Sequence, residues 1–318
     1  MSFLSRIKNK IKSILFLKGK NQREINQKHS YDYPDENNGW HKIGKSPVYG
    51  NESTNSVFDP FVLKDNKRFL MAVSERKNHG IDLLESTDGI KWAKISTILT
   101  SRPNTWEHFV NRASIILVNG VWHMWYTGQS PHISKIGHAI SLDGIHYQRP
   151  SKPCLVATLK HEGVSVMNPC VLWNETKQLF QMWYAAGENY EPDVLFYAES
   201  KDGDYWIKKE SPVLTKYKKN KWEKYKVGGC DVKKQKDGTY IMYYIGYQNL
   251  DVARICYAIS VDGINWIRPS FNLCIAPTAN SWDSAATYKP SVVEDNGKLY
   301  MWYNGRNGIS EYIGLAIK

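Results

Sequence analysis

The chain has 318 residues, 42% of them hydrophobic and 13% aromatic, enough to bury a large core in a single domain. Its formal charge of +11 is unevenly placed, because residues 1–28 hold eight Lys and Arg against Glu24 alone, so the global charge does not mark a nucleic-acid binder. Five scattered cysteines without Cys-x-x-Cys spacing exclude a disulfide framework and a zinc site and fit a reducing, cytoplasmic compartment.

Residues 1–20 are basic and amphipathic. Phe3, Leu4, Ile7, Ile11, Ile14 and Leu15 fall near one helical face, with lysines opposite. The unbroken apolar run, Ile14 to Leu17, is too short to span a bilayer or to serve as a secretory core. Two readings stay open: an interfacial helix on the anionic surface of the inner membrane, or a basic tail or helix that rests on the domain. Residues 29–36 read as a polar linker, and residues 37–318 as one folded unit.

That unit is a repeat. Ser86-Thr-Asp-Gly-Ile-Lys-Trp92, Ser141-Leu-Asp-Gly-Ile-His-Tyr147, Ser200-Lys-Asp-Gly-Asp-Tyr-Trp206 and Ser260-Val-Asp-Gly-Ile-Asn-Trp266 share one signature, their turn aspartates 55, 59 and 60 residues apart. Apolar alternation flanking Asp-Gly is a strong hairpin signal, and a period of this size with β content predicts a propeller. Asn38-Gly39-Trp40 repeats the end of that signature without the strands before it. Residues 289–318 supply three strands and no such hairpin. The N-terminal strand therefore completes the C-terminal blade, giving an all-β, five-bladed β-propeller with a closed ring.

Each unit reads as four strands. The inner strand follows Asp59-Pro60, Arg112-Ala113, Asn168-Pro169, Gly229-Cys230 and Lys289-Pro290. The second carries Met124-Trp-Tyr, Met182-Trp-Tyr, Met242-Tyr-Tyr and Met301-Trp-Tyr, with Met71-Ala-Val in the first blade. The repeated aromatics and turn aspartates are structural in this reading. Polar Asp59, Arg112, Asn168 and Lys289, with Asp231 near Gly229, stand where a core would be apolar, so the axial face is expected to hold a polar pocket. A second set, Glu52, Glu107, Glu162, Glu223 and Asp283, lies upstream of each inner strand, and its repetition argues for a shared structural role. His108, Tyr288 and Arg306 join the candidate ligand-binding groups, and no metal-binding motif or cofactor signature is present.

Asp-Pro opening the first inner strand, Asn168-Pro169 in the third blade, and Met-Trp-Tyr followed by Ala-x-Ser-x-Asp-Gly-x-x-Trp together resemble the five-bladed glycoside-hydrolase clan of invertases, levansucrases and arabinanases. They also resemble the related mannoside phosphorylases, and members associated with bacterial surface-polysaccharide genes. The resemblance covers residues 37–318. It implies a glycosidase or transglycosidase acting on a surface glycan, with Asp59 as nucleophile or base. Arg112, Asn168, Lys289, His108, Tyr288, Asp283 and Arg306 would hold the carbohydrate. The family's third-blade aspartate is here Asn168, and its fourth-blade glutamate, the general acid, falls in Val227-Gly-Gly-Cys-Asp231, which has no Glu. Asp231, Glu162 and Glu223 are the candidates to replace it. With the acid missing, a non-catalytic glycan-binding propeller is the alternative.

Overall fold

The computed structural model describes residues 38–54, 56–188 and 192–318. The amphipathic segment and the linker lie outside the described residues. Among the described residues no helix is long and apolar enough to cross a membrane.

The strands form five antiparallel sheets. β1 (His41–Lys42) stands apart from the strands that follow it. The first blade is β2 (Val57–Asp65), β3 (Arg68–Glu75), β4 (Gly80–Ser86) and β5 (Ala93–Leu99). The second is β6 (Phe109–Val118), β7 (Val121–Gln129) and β8 (Ser134–Ser141). The third is β9 (Ser165–Asn174), β10 (Leu179–Gly187), β11 (Val194–Ser200) and β12 (Ile207–Lys208). The fourth is β13 (Lys226–Lys234), β14 (Tyr240–Tyr247), β15 (Ala253–Ser260) and β16 (Leu273–Ile275). The fifth is β17 (Ala286–Asp295), β18 (Lys298–Asn307) and β19 (Ser310–Ile317), and β1 completes it by pairing His41 with Ile317 and Lys42 with Ala316. The ring closes as the Asn38-Gly39-Trp40 signature implied.

The fourth strands depart from the sequence expectation. Only β5 runs seven residues. In the other blades the strand after the turn meets Pro47, Pro150, Pro212 or Pro269 and breaks into short pairs and single bridges such as Ile140–Gln148 and Ile259–Ile267. Proline has no N–H to give the ladder, so it is tolerated only on such outer edges. In the fourth blade the sheet is completed further along, by β16.

The core is a set of wedges between neighbouring blades. Met71, Met124, Met182, Met242 and Met301, one per blade, are fully buried, each contributing about 1.5–3 kcal/mol. Trp125, Trp183 and Trp302 are also fully buried, and each indole donates to the Asp-Gly turn of the next blade, at Gly203 O (2.9 Å), Gly263 O (2.7 Å) and Gly89 O (2.8 Å). The signature thus writes both the hairpin and the bond that holds successive blades together.

The turn aspartates cap their own hairpins. Asp88 Oδ1 accepts from the Ile90 and Lys91 N–H groups at 2.8 Å, and Asp143, Asp202 and Asp262 repeat the pattern. Backbone donors hold Asp88 and Asp202 below the ordinary carboxylate value. The His146 ring and the backbone do so for Asp143, and at Asp262 the donors outweigh the opposing effect of burial. A lowered folded pKa stabilises above the unfolded value and is lost as pH falls through the folded one. The urea midpoint should therefore hold steady down to about pH 4 and then drop progressively. A midpoint unchanged to pH 2 would contradict these caps.

Candidate active site

Each inner strand carries a β-bulge at its axial residue. Register shifts fall between Phe58 and Phe61, Asn111 and Ser114, Gly228 and Cys230, and Tyr288 and Ser291, and a fifth lies opposite Asn168. Asp59, Arg112, Asn168 and Lys289 adopt left-handed φ values of 58°, 51°, 54° and 54°. Such backbone is costly for a side-chain-bearing residue, about 1–3 kcal/mol each, and concentrates where function demands a particular direction. Three of the bulged N–H groups are held by a side chain of the preceding blade. Asp59 N donates to Asn304 Oδ1 (2.6 Å), Arg112 N to Ser74 Oγ (3.0 Å) and Asn168 N to Thr127 Oγ1 (2.8 Å).

Gly229 is the exception in this ring. A Cβ there would lie 2.8 Å from Asn168 Cβ and 3.1 Å from its Cγ. Asn168 occupies the space a side chain at 229 would need. Gly229→Ala is expected to cost about 1–3 kcal/mol by overpacking, with the loss reduced in the Gly229→Ala/Asn168→Gly pair. Equal losses in the single and paired variants, by urea unfolding, would show that the two positions do not compete.

Asp59 is 1% exposed and ion-paired through Oδ1 with Lys289 Nζ, and its Oδ2 has no hydrogen-bond partner. Lys289 Nζ also lies over the rings of Phe58 (5.1 Å) and Tyr288 (5.8 Å). Beside this pair is a residue the sequence reading missed. Glu311, on β19, is buried, accepts from the Tyr288 hydroxyl and pairs with Arg76 Nη2 at 2.5 Å. Burial would raise the Glu311 pKa, but the charges of Arg76 and Lys289 and the two donated hydrogen bonds outweigh it and bring it below the ordinary value. Burial first, then the Glu311 charge, pushes the Tyr288 phenol well up. Arg76 packs over the Phe58 ring at 4.7 Å. Asp59, Lys289, Glu311, Arg76 and Tyr288 thus form one polar network at the seam of the first and fifth blades. The repeat carried little signal for Glu311, since the matching third-strand positions in blades two, three and four are Ser134, Asp193 and Ala253, and an acid there is not peculiar to the fifth blade.

Arg112 reaches across the axis, its Nη2 donating to Cys230 O (2.9 Å) and Pro290 O (3.4 Å) of the fourth and fifth blades. His108 packs edge-on against Phe109 and lies 3.4 Å from Asn104 N, beside the seam of the first and second blades. Arg306 ties loops together through Asp251 O (2.6 Å) and Gly308 O (3.3 Å).

The other candidate carboxylates are engaged elsewhere. Asp231 Oδ2 accepts from Val292 N (2.6 Å) and Oδ1 faces Lys233 Nζ (3.1 Å). It joins Ser114, Cys170 and Ser291, which take the backbone N–H of Val171, Val232 and Val62 in the next blade. Glu162 accepts from the Tyr184 hydroxyl (2.7 Å), Lys208 (2.7 Å) and the Thr158 and Leu159 N–H groups. Asp283 takes the Tyr303 hydroxyl (3.1 Å) and Lys42 (2.5 Å), Glu223 the Tyr244 hydroxyl (2.9 Å) and Arg268 (2.7 Å), and Glu107 the Tyr126 hydroxyl and Arg149. Each is a lock inside its own blade, joining the Tyr of Met-x-Tyr to the cation two residues beyond the Trp or Tyr that ends the turn signature. Glu52 is exposed, and the first blade has Val73 in place of the tyrosine.

The model of the glycosyl hydrolases family 32 N-terminal domain matches residues 5–111 and 85–235. A curated relative, an uncharacterised protein of Mycobacterium tuberculosis (strain ATCC 25618 / H37Rv), is 28% identical over 221 residues, covering 65% of this chain and 71% of that one. The 1,2-β-oligomannan phosphorylase of Thermoanaerobacter sp. (strain X514) is 26% identical over 199 residues, 59% of this chain and 61% of that one. Among solved structures, a thermostable family-43 glycoside hydrolase superposes with a TM-score of 0.68 at 20% identity, over 87% of this chain and 91% of that one. A structure from the GH130 family of mannoside phosphorylases, which contains glycoside hydrolases targeting β-1,2 mannosidic linkages in Candida mannan, gives 0.66 at 15% identity over 90% and 95%. At these identities the two structures speak for the fold.

Proposed function

Because the chain belongs to the family of the glycosyl hydrolases family 32 N-terminal domain, we propose that this carbohydrate-active propeller cleaves or transfers a glycosyl unit of a bacterial surface glycan, with Asp59 as the carboxylate that acts at the anomeric centre. One observation carries the reading. Asp59 stands at the axial bulge of the first blade, buried, paired through Oδ1 with Lys289, its Oδ2 without a hydrogen-bond partner. A carboxylate so placed can attack as nucleophile or take a proton from the attacking group.

Lys289, Arg112 and Arg76 outnumber Asp59 and Glu311, so the site carries net positive charge and suits a glycan with an anionic substituent, or phosphate as the attacking group. The phosphorylase relative lends weight to the second. Asn168 offers an amide for a sugar hydroxyl, with His108 and Arg306 further out. Asp231, Glu162 and Asp283 remain, in this reading, parts of the blades. The departing oxygen still needs a proton, and Gly229 stands where the family's acid would be. The Tyr288 phenol or a phosphate co-substrate supplies it, and the phosphate dependence of the rate separates the two.

A second reading, glycan binding without cleavage, is favoured by Gly229 and by the Asn168 amide that fills its space. The test is a screen of surface-polysaccharide oligosaccharides and aryl glycosides, with and without phosphate, following binding and product together. Product release supports the enzyme. Binding with every glycan intact overturns it in favour of the second reading.

A further inference from the structure

The loop that enters the fourth blade, residues 215–226, carries Lys216, Lys218, Lys219, Lys221, Lys224 and Lys226 against Glu223 alone. Aligned on Glu107, Glu162 and Asp283, the same loops of the second, third and fifth blades are residues 99–110, 154–165 and 275–286. Their only Lys or Arg are Arg102 in the second blade and Lys160 in the third. The repeat therefore builds this loop without the charge. The segment is a fixed turn, in which Tyr217 N donates to Glu223 O (3.2 Å), Asn220 N to Tyr217 O (3.0 Å) and Glu223 N to Asn220 O (3.2 Å). The Glu223 carboxylate points inward to Arg268 and the Tyr244 hydroxyl, so it does not balance the lysines. Lys216, Lys218, Lys219 and Lys224 are exposed and meet no carboxylate among the described residues.

The loop borders the axial site. Lys226 opens β13, about 10 Å along the strand from Gly229. It pairs at 3.0 Å with Asp193, which holds in the third blade the place of Glu311 in the fifth. Among the lysines stand Tyr217 and Tyr225, 45% and 39% exposed, whose flat apolar rings suit the face of a sugar. We propose, on the carbohydrate reading above, that this loop binds an anionic polysaccharide, a polymer with a negative group on successive sugars, and leads it to the axis. Cations along the approach to a positively charged site concentrate and steer such a chain. Residues 215–226 contain no aliphatic side chain to enter a bilayer, and Trp222 is buried, which speaks against a lipid surface.

The test uses the full chain with polygalacturonate as the probe, and compares the wild type with the Lys216→Gln/Lys218→Gln/Lys219→Gln/Lys224→Gln variant. Residues 1–28 are present in both, so a difference belongs to the loop. Calorimetry at low and physiological salt follows polygalacturonate, neutral mannan, single-stranded oligothymidylate and phosphatidylglycerol vesicles. The expected result is polygalacturonate binding that weakens with salt and falls about tenfold or more in the variant, with no such loss for mannan. The pair Lys218→Gln/Lys219→Gln should fall between, so the outcome does not depend on the fourfold variant folding. Equal polygalacturonate affinity in all three chains overturns the proposal. So does a larger loss for the oligothymidylate or the vesicles, which would assign the loop to nucleic acid or membrane. Binding is read without turnover, and Asp59→Asn should bind polygalacturonate as the wild type does, so the loop and the catalytic reading fail separately.

Discussion

Asp59→Asn is expected to lower kcat by about 10³–10⁴-fold while leaving glycan affinity within a few-fold of the wild type, in line with the loss of a positioned base or nucleophile. The exchange keeps the shape of the side chain and removes only its charge and basicity. It does remove the direct ion pair of Lys289, but Glu311 remains nearby as a counter-charge and that ammonium is 18% exposed and can turn to water, so the fold should survive. The comparison is made by initial rates and by calorimetric binding of the same oligosaccharide. A rate within tenfold of wild type, in a folded variant, would remove Asp59 from the chemistry. A parallel collapse of affinity and rate would make it a binding residue.

Glu223→Ala should be among the most damaging substitutions to stability, by about 3–5 kcal/mol. The carboxylate is completely buried and accepts from the Tyr244 hydroxyl, Arg268 Nε, and the amides of Asn220 and Asn272. Removing it strands a guanidinium and several donors in the fourth blade. Glu52→Ala is the matched control, because Glu52 is exposed and its blade has no tyrosine lock. It should fall within about 0.5 kcal/mol of wild type, as surface changes generally do. Urea unfolding reads both. A Glu223→Ala chain as stable as wild type but inactive would mean that the upstream carboxylates serve the reaction and not the blades.

The propeller was readable because its signals are local. An Asp-Gly turn, a Ser before it and a Trp after it fix a hairpin within seven residues, and repetition multiplies the signal. Asn38-Gly39-Trp40 extended the same logic to the closure of the ring. The broken outer strands were written in Pro47, Pro150, Pro212 and Pro269, yet their consequence depends on which strand lies at the edge. The axial positions followed from the repeat, but their left-handed bulges did not, since the N–H partners Asn304, Ser74 and Thr127 sit in the preceding blade. Direction decided the rest. Asp231 is only two residues beyond Gly229, and this places it between blades, on Val292 N. Glu311 enters the network through Arg76, 235 residues away in sequence, a proximity created by ring closure that no local pattern carries.

The most direct measurement is a structure of the Asp59→Asn chain with a bound oligosaccharide identified by the screen. A glycosidic bond lying against residue 59, with Lys289, Asn168 and the Arg76–Glu311 pair around the sugar, is the result this account predicts. A sugar held instead in the outer groove lined by Thr97–Arg102 and Tyr147–Arg149, with the axial ring empty, would contradict it.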